Sequence, residues 1–455
     1  MQVDSSTKAV ARGPGFLGHP RGLFYLTFTE VWERFSYYGM TSLLVLYMVN
    51  QLLLPGHVER VAGFAGFRAA LESIAGPLSA LAIASQTFGL YAGLVYFTPL
   101  LGGWIADRWI GQRNAVVLGA LSMASGHIAM AFDRSFLLAL LLLVAGSGLL
   151  KGNISSQVGA LYPADQEARR SHGFVVFSTG INIGAASGSL VCGLLAQLYG
   201  WHVGFGAAAV FMIIGLATYL SGYHHLPARV VRSGATHRRL SASDWRVVRA
   251  LVLIVAISVF QTVAYNQRTD VLPVWIQHHV ALSVGRFSIP IPWYQSVDAL
   301  SSIAFVPVLL WLWRYQAARH REPGDLAKIG LGAWIAALSN LLLVAAILAG
   351  GSSRVHPVWP FLYCTGLGIA FLYYWPTMLA LVSRVAPARV NSFMMGIVFT
   401  SLFLGNILTG WIGGAYEKMS PAGFWALHAA IGASGGLLVW IFGDPLERAL
   451  RAEQV

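Results

Sequence analysis

Twelve stretches of about 20 mostly apolar residues follow one another along this chain, and they constrain its fold more than any other feature. A helix needs about 20 such residues to cross the hydrocarbon core of a bilayer. The sequence therefore predicts an all-α membrane protein with twelve transmembrane helices. The predicted spans are residues 22–54, 84–106, 114–132, 136–158, 172–198, 201–222, 247–277, 292–315, 327–350, 357–383, 391–413 and 422–443.

A polar and basic segment, residues 223–246, divides these spans into two sets of six. We therefore predict a first six-helix bundle over 22–222 and a second over 247–443, joined by that segment as a cytoplasmic linker. Two such bundles are typical of secondary transporters that bind substrate near the bilayer midplane. The long connection 55–83 is only moderately apolar, and we expect an extra helix outside the membrane there. The predicted chain ends are an N-terminal segment, 1–21, and a C-terminal tail, 444–455.

The distribution of Lys and Arg tests the number of spans, because cytoplasmic loops carry an excess of these residues. With the N-terminus inside, 21 of the 30 basic residues fall in predicted cytoplasmic segments and 6 in outer segments. A wrong number of spans would scramble this alternation. The sequence therefore predicts a multi-pass protein of the cell membrane with both termini in the cytoplasm.

The composition excludes several other classes of protein. Only 11% of the residues are charged and 56% are hydrophobic, whereas a soluble domain is about a quarter charged. The net charge of +12 would favour a nucleic-acid partner, but the basic residues lie between apolar runs, so we expect none. Residues 1–21 lack the apolar stretch of a cleaved signal peptide.

Other chemistry is equally sparse in the sequence. Cys192 and Cys364 each lie inside an apolar run, and we expect buried thiols without a disulfide framework or a metal site. We find no nucleophile–base set, metal-ligand spacing or phosphate loop. We therefore expect neither an enzyme nor a cofactor.

Seven charged residues lie well away from the ends of the predicted spans, where a lone charge at the bilayer centre costs about 2.5–3.5 kcal/mol. Such residues usually face a cavity and act in pairs. They are Arg34, Lys151, Arg268, Glu30, Glu33, Asp270 and Asp298.

Three of these charges lie on one face of the first span, because Glu30, Glu33 and Arg34 are spaced i, i+3 and i+4. One interpretation is an ion pair that merely allows the helix to insert. However, two acids and one base leave one carboxylate without a counter-charge, and this favours a role of that carboxylate as a proton carrier. Lys151 in the fourth span is then its expected partner; alternatively, Lys151 snorkels to the cytoplasmic face.

The second half carries its own charges. Arg268 and Asp270 are two residues apart, so on a helix they point to different sides and two separate interactions are expected. Asp298 in the eighth span either stays protonated among apolar neighbours or pairs with Arg268, and either residue can face substrate.

The stretch GGWIADRWIGQR, from Gly102 to Arg113, joins the second and third spans at the predicted cytoplasmic edge. Close-packed glycines followed by an acid and bases are typical of a motif that braces helices in one conformation. We predict a gating motif that includes Gly103, Asp107 and Arg108.

Several motifs resemble those of a known family. Residues 18–40 read GHPRGLFYLTFTEVWERFSYYGM, which resembles the first span of the proton-dependent oligopeptide transporters, a branch of the major facilitator superfamily. The other matching motifs are LYAGLVYFTPLLGGWIADR, LLKGNISSQVGALY, GINIGA, GWHVGFGAAA, WYQSVDAL, RVAPARVNSFMMG and LGN. The resemblance covers nearly the whole chain and implies the major facilitator superfamily fold.

The resemblance also implies a function: inward, proton-driven symport of small peptides across the bacterial inner membrane by alternating access, with the monomer as the functional unit. It implies proton coupling by Glu30, Glu33 and Arg34. It implies that Lys151 takes part in coupling and holds the substrate carboxylate. The positions that match the peptide site of the family are Tyr38, Tyr91 and Asn182.

The departures from the family pattern concern the binding site. Thr41 stands where the family usually has an Arg that clamps the substrate carboxylate. In the second half, Asn266 and Phe371 each replace a Glu, Val398 replaces a Trp, and Asp298 replaces an Asn.

These departures lead to a hypothesis about the substrate. An ammonium group needs a counter-charge in a low-dielectric pocket. We therefore hypothesise that Asp298, near Arg268, serves as the amine partner or second proton site in place of a lost Glu. Val398 is expected to enlarge the pocket for a bulkier or modified substrate.

Three functions compete on this sequence. The intact charges of the first span favour a proton-coupled importer of small peptides or peptide-like compounds. An exporter of a modified peptide or another amphiphilic natural product is the alternative, because the sequence does not fix direction. A non-transporting sensor or scaffold is the third, and it predicts degenerate coupling residues, which the first span does not show.

Overall fold

The fold is that of a computed structural model, which describes residues 18–163, 166–227, 241–351, 353–387 and 390–451. Most of the predicted N-terminal segment, most of the linker with Arg229, Arg232, Arg238 and Arg239, and the last four residues lie outside the described residues.

The described residues are predominantly helical, as an all-α membrane protein requires. All but two of the α-helices, Phe64–Ala75 and Val271–His279, have 18 residues or more. In chain order the helices are α1 (Arg21–Tyr47), α2 (Phe64–Ala75), α3 (Ala80–Ile105), α4 (Gln112–Ala129), α5 (Phe136–Ala160), α6 (Glu167–Tyr199), α7 (Trp201–Ser221), α8 (Ala242–Asn266), α9 (Val271–His279), α10 (Trp293–Ala317), α11 (Asp325–Gly350), α12 (Val358–Val385), α13 (Asn391–Gly413) and α14 (Pro421–Arg451).

The long helices coincide with the twelve predicted spans once α8 and α9 are taken together. By length and composition, 10 of these segments are apolar enough to cross a membrane. The other two are α1, which carries the buried charges, and α4, the shortest long helix at 18 residues. The extra helix expected in 55–83 is confirmed as α2. A short antiparallel hairpin, β1 (Ser283–Val284) and β2 (Phe287–Ser288), precedes α10.

The predicted seventh span, 247–277, is interrupted, because α8 ends at Asn266 and α9 begins at Val271. Pro273 lies in the first turn of α9, where the break accommodates it: it has no N–H, and in a continuous helix its ring would clash with the carbonyl of Thr269. A hydrogen bond from Leu272 N to Gln267 O (3.0 Å) closes the turn instead. The break matters for function because Arg268 and Asp270 lie in it.

The chain divides into two compact units. The first comprises residues up to Ala70 and Leu94–Ser233, and the second comprises Leu71–Gly93 and everything from Gly234. This grouping differs from the predicted bundle 22–222 at residues 71–93, and the other predicted bounds stay predictions. Helix α14 also continues to Arg451, so the predicted tail is helical as far as it is described.

Glycines at helix crossings set the packing of the first unit. A Cβ built at Gly188 of α6 would collide with the backbone oxygen of Phe35 on α1, and one at Gly119 of α4 would lie 2.7 Å from the backbone oxygen of Gly146 on α5. Small residues let helix backbones approach closely in membranes. This close packing buries the charged face of α1 inside the unit.

The second unit is organised in the same way around an apolar core. A Cβ at Gly368 of α12 would lie 2.6 Å from the backbone oxygen of Asp298 on α10, and one at Gly332 of α11 would lie 3.0 Å from that of Ala370. The core is built from α8, α11, α12, α13 and α14, and its fully buried members include Leu251.

Candidate functional site

The charged face of α1 forms one compact cluster in the first unit. Arg34 Nε lies 3.0 Å from Glu30 Oε1 and 2.5 Å from Glu33 Oε2, and all three residues are buried. The predicted common face is therefore confirmed. One guanidinium is shared by two carboxylates, so these three residues carry a net charge of −1 when all are ionised.

Lys151 of α5 takes a position that the sequence did not predict. Its ammonium lies over the rings of Tyr37 (4.5 Å) and Tyr96 (5.1 Å), and its Nζ is buried without a hydrogen-bond acceptor among the described residues. Lys151 interacts with the carboxylates of Glu30 and Glu33 through charge and without a direct ion pair, while the two ring faces hold its ammonium by cation–π attraction. Lys151 does not snorkel to the surface.

In the second unit, the predicted pairing of Arg268 with Asp298 is confirmed. Arg268 Nε lies 3.1 Å from Asp298 Oδ2. The hydroxyl of Tyr265 on α8 donates to the same Oδ2 (2.7 Å) and accepts from Arg268 Nη2 (3.0 Å). Asp298 Oδ1 is buried and has no partner among the described residues, so this oxygen is the one available to a further cation.

The neighbours of this pair are the other departures from the family pattern. The ring of Phe371 stacks on Tyr265 at 5.9 Å between centroids. Asn266 Nδ2 donates to Asn406 Oδ1 on α13 (3.1 Å), which ties the end of α8 to that helix. Val398 is fully buried in the apolar core of the second unit; the wider pocket expected at this position stays a prediction.

Arg268 and Asp270 make separate interactions, as their spacing predicted. Asp270 is fully buried and forms no ion pair with Arg268 or with any other described residue.

The remaining predicted binding residues are distributed over both units. Tyr38 and Asn182 are partly exposed in the first unit. Thr41 is buried, and its hydroxyl donates to the backbone oxygen of Tyr37 (2.9 Å), so it does not replace the positive charge of an Arg. Tyr91 is buried in the part of α3 that groups with the second unit. Contact of these four residues with substrate stays a prediction.

The predicted gating motif begins with the last turn of α3. A Cβ at Gly103 would meet open space, whereas one at Gly102 would collide with the backbone of Gly148 on α5; the close contact therefore falls on Gly102 and not on Gly103. Residues Ala106–Ile110 form a π-helix in which Asp107 and Arg108 are exposed.

Two tyrosines were missed by the sequence reasoning. Tyr265 bridges Arg268 and Asp298, and Tyr96 forms half of the ring pair around Lys151. The i, i+3 spacing of Tyr265 and Arg268 was a usable signal. Tyr96 gave none, because its contact with Lys151 joins two different helices.

The chain is similar in sequence and in fold to known transporters. The model of the POT family matches residues 113–241 and 227–426. The chain is 29% identical to an uncharacterized transporter of Bacillus subtilis, with 96% of each chain covered, and 28% identical to a peptide transporter of Yersinia enterocolitica, with 91% of each covered. A crystal structure of a mutant peptide transporter POT in complex with alafosfalin has a TM-score of 0.84 at 26% identity and covers 98% of this chain and 99% of that chain. These similar proteins are transporters and not enzymes, as the sequence predicted.

Proposed function

Because this chain belongs to the POT family, we propose that it is a proton-coupled transporter that imports small peptides or peptide-like compounds by alternating access. We further propose that it works as a monomer in the bacterial inner membrane, with both termini in the cytoplasm. Similarity to a peptide transporter, and to a structure solved with alafosfalin, supports a peptide-like substrate. The observation that carries proton coupling is the cluster of two buried carboxylates on one guanidinium.

In this proposal, the charge balance of the first unit couples the binding of substrate to the binding of a proton. Glu30 and Glu33 offset Arg34 and Lys151, so the four ionised residues sum to zero. When a substrate carboxylate joins the unpartnered ammonium of Lys151, one negative charge is left over in a low-dielectric site. Uptake of a proton by one of the two glutamates restores neutrality. Binding of substrate and binding of a proton therefore favour each other.

In the second unit we propose that Asp298 Oδ1 receives the ammonium group of the substrate. Oδ2 is already shared by Arg268 and Tyr265, which fixes the carboxylate in place. Uptake by an Asp298→Asn variant tests this role: normal proton-driven transport of a dipeptide with a free amine would contradict it.

Purified protein in liposomes with an imposed pH gradient tests the proposed function directly. We expect accumulation of a dipeptide on the side of higher pH, about tenfold for one proton and one pH unit. A panel of dipeptides with free and blocked termini identifies which groups are needed. Absence of accumulation for every peptide-like compound in the panel would overturn the peptide importer, and movement against the proton flow would favour the exporter.

A matched pair of variants assigns the coupling residue. Glu33→Gln removes a buried carboxylate beside Arg34, so we expect loss of gradient-driven accumulation while exchange of labelled for unlabelled substrate continues. Glu59→Gln makes the same change in an exposed turn before α2, and we expect normal accumulation.

A further inference from the structure

Asp270 is a buried carboxyl group that the proposed proton and substrate path does not use. Its exposed fraction is 0%, and neither carboxylate oxygen makes a hydrogen bond of normal geometry among the described residues. It is the N-cap residue of α9, yet its side chain makes no capping hydrogen bond. An N-cap Asp normally accepts a backbone N–H of the first turn, so this side chain is turned away from its own helix.

The side chain of Asp270 lies instead at a seam between the first half of α3 and α13, both within the second unit. A Cβ built at Gly413 would collide with Asp270 Oδ2 and would lie 3.0 Å from Ser85 Oγ. Further along the seam, a Cβ at Gly89 would lie 2.6 Å from the backbone oxygen of Asn406. The two backbones are therefore in contact, and the carboxyl group is enclosed between them.

The walls of the seam offer this carboxyl group no counter-charge. Helices α3 and α13 contain no Asp, Glu, Lys or Arg, and Arg268, two residues away, is paired with Asp298. The hydroxyl of Ser85 lies beside the carboxyl group, but a neutral hydroxyl does not offset a full charge. The surrounding elements carry titratable or charged groups that include Tyr91 on α3, Arg268 in the break, His278 and His279 at the end of α9, Tyr416, Glu417 and Lys418 after α13, and His428 on α14.

We infer that Asp270 is a proton-binding group whose protonation is required for closure of the seam between α3 and α13. An ionised carboxylate without a counter-charge is strongly disfavoured in a dry site. The neutral acid is tolerated there. When the proton leaves, water must reach the carboxylate, and water enters only if the α3 and α13 backbones separate.

This inference rests on the proposed function in one respect, namely that the proton on Asp270 belongs to the transport cycle. The link between protonation and seam closure is reciprocal and follows from burial alone. In the cycle, Asp270 would make opening of this seam depend on proton release, independently of the charges on α1.

Cysteine labelling in nanodiscs measures closure of the seam without transport. Ala82, one turn before Ser85, is 3% exposed, and Ala82→Cys places a thiol at the seam. Ile74→Cys on α2, at a site that is 72% exposed, serves as the reference for the intrinsic effect of pH on maleimide reactivity. The chain without an added cysteine measures the background labelling of Cys192 and Cys364, which should be slow because both residues are buried.

Between pH 5 and pH 8, we expect the labelling rate at position 82, relative to that at position 74, to rise fivefold or more. A factor of about five is the lower end of the usual coupling between two linked equilibria. Asp270→Asn keeps the shape of the neutral acid, so labelling should stay low at every pH. Asp133→Asn, which changes an acid of the first unit, should leave the rise intact. A pH-independent ratio in the chain with native Asp270 overturns the inference, even if Asp270→Asn does not fold.

The same preparations separate this inference from the proposed function. A pH-dependent seam in a protein that shows no proton-driven uptake would leave the role of Asp270 in closure intact and overturn proton coupling. Proton-driven uptake with a seam that is insensitive to pH would do the reverse.

Discussion

Replacing Arg268 by Gln removes one partner of the buried ion pair in the second unit and leaves Asp298 without its counter-charge. The side chains are only 11% and 9% exposed, and the Nε–Oδ2 distance is 3.1 Å. At an effective dielectric constant of about 20, two unit charges at that distance attract each other by about 5 kcal/mol. Desolvation of both groups offsets much of this attraction.

The single substitution is therefore expected to cost more than the pair contributes. Removing one partner of a buried pair typically destabilises by about 3–5 kcal/mol. Tyr265 keeps its hydrogen bond to Asp298, so we expect a loss near the lower limit, about 3 kcal/mol. Arg268→Gln combined with Asp298→Asn removes both charges, and we expect the double variant to be less destabilised than the sum of the two single variants by about 2 kcal/mol or more.

Thermal unfolding in detergent micelles, followed by tryptophan fluorescence, measures this double-mutant cycle. Arg384→Gln is the matched control, because Arg384 pairs with Asp325 at an exposed site where the two side chains are 61% and 26% exposed. An exposed pair contributes about 0–1 kcal/mol, so the control should barely shift the Tm. Additive effects of the two single substitutions in the double variant would refute the argument that the two charges compensate each other.

Three further predictions test other parts of the molecule. Lys151→Ala should weaken binding of dipeptides with a free carboxylate about tenfold more than binding of their C-terminal amides, a difference of about 1.4 kcal/mol. The reason is that the unpartnered ammonium of Lys151 is proposed to hold that carboxylate. Equal losses of affinity for both ligands in a binding assay would argue against this role. Gly188→Ala should destabilise the first unit by about 1–3 kcal/mol, because the added Cβ collides with the backbone of Phe35. Gly206→Ala, at an open position of α7, should instead stabilise it by about 0.5–1 kcal/mol. Thermal unfolding measures both effects. Burial, together with the positive charges of Arg169 and His172, lowers the pKa of His19 from 6.5. Just below pH 6.5 the folded chain therefore binds fewer protons than the unfolded chain, so the free energy of unfolding rises with pH there. NMR titration of His19 should show a higher pKa in Arg169→Gln than in the unsubstituted chain.

Much of the fold follows from the sequence, because the features involved are local. Twelve apolar stretches of the right length predict the long helices, and the i, i+3, i+4 spacing places Glu30, Glu33 and Arg34 on one helix face whatever surrounds it. The break before α9 did not follow from the sequence in the same way, because Pro99, Pro307 and Pro376 lie in similar apolar runs within continuous helices.

The connections among the charges depended on tertiary structure. The sequence placed Lys151 and Asp298 within spans but gave no distances between helices. Glycine crossings set those distances by letting backbones meet. They bring Tyr96 to Lys151 and place Arg34 in direct contact with both glutamates, so Lys151 interacts with these carboxylates only through charge. They also close the seam that leaves Asp270 without a counter-charge. The chain determines which charges enter the membrane, whereas packing between helices decides which of them are neutralised, because a counter-charge works only at close range in a dry interior.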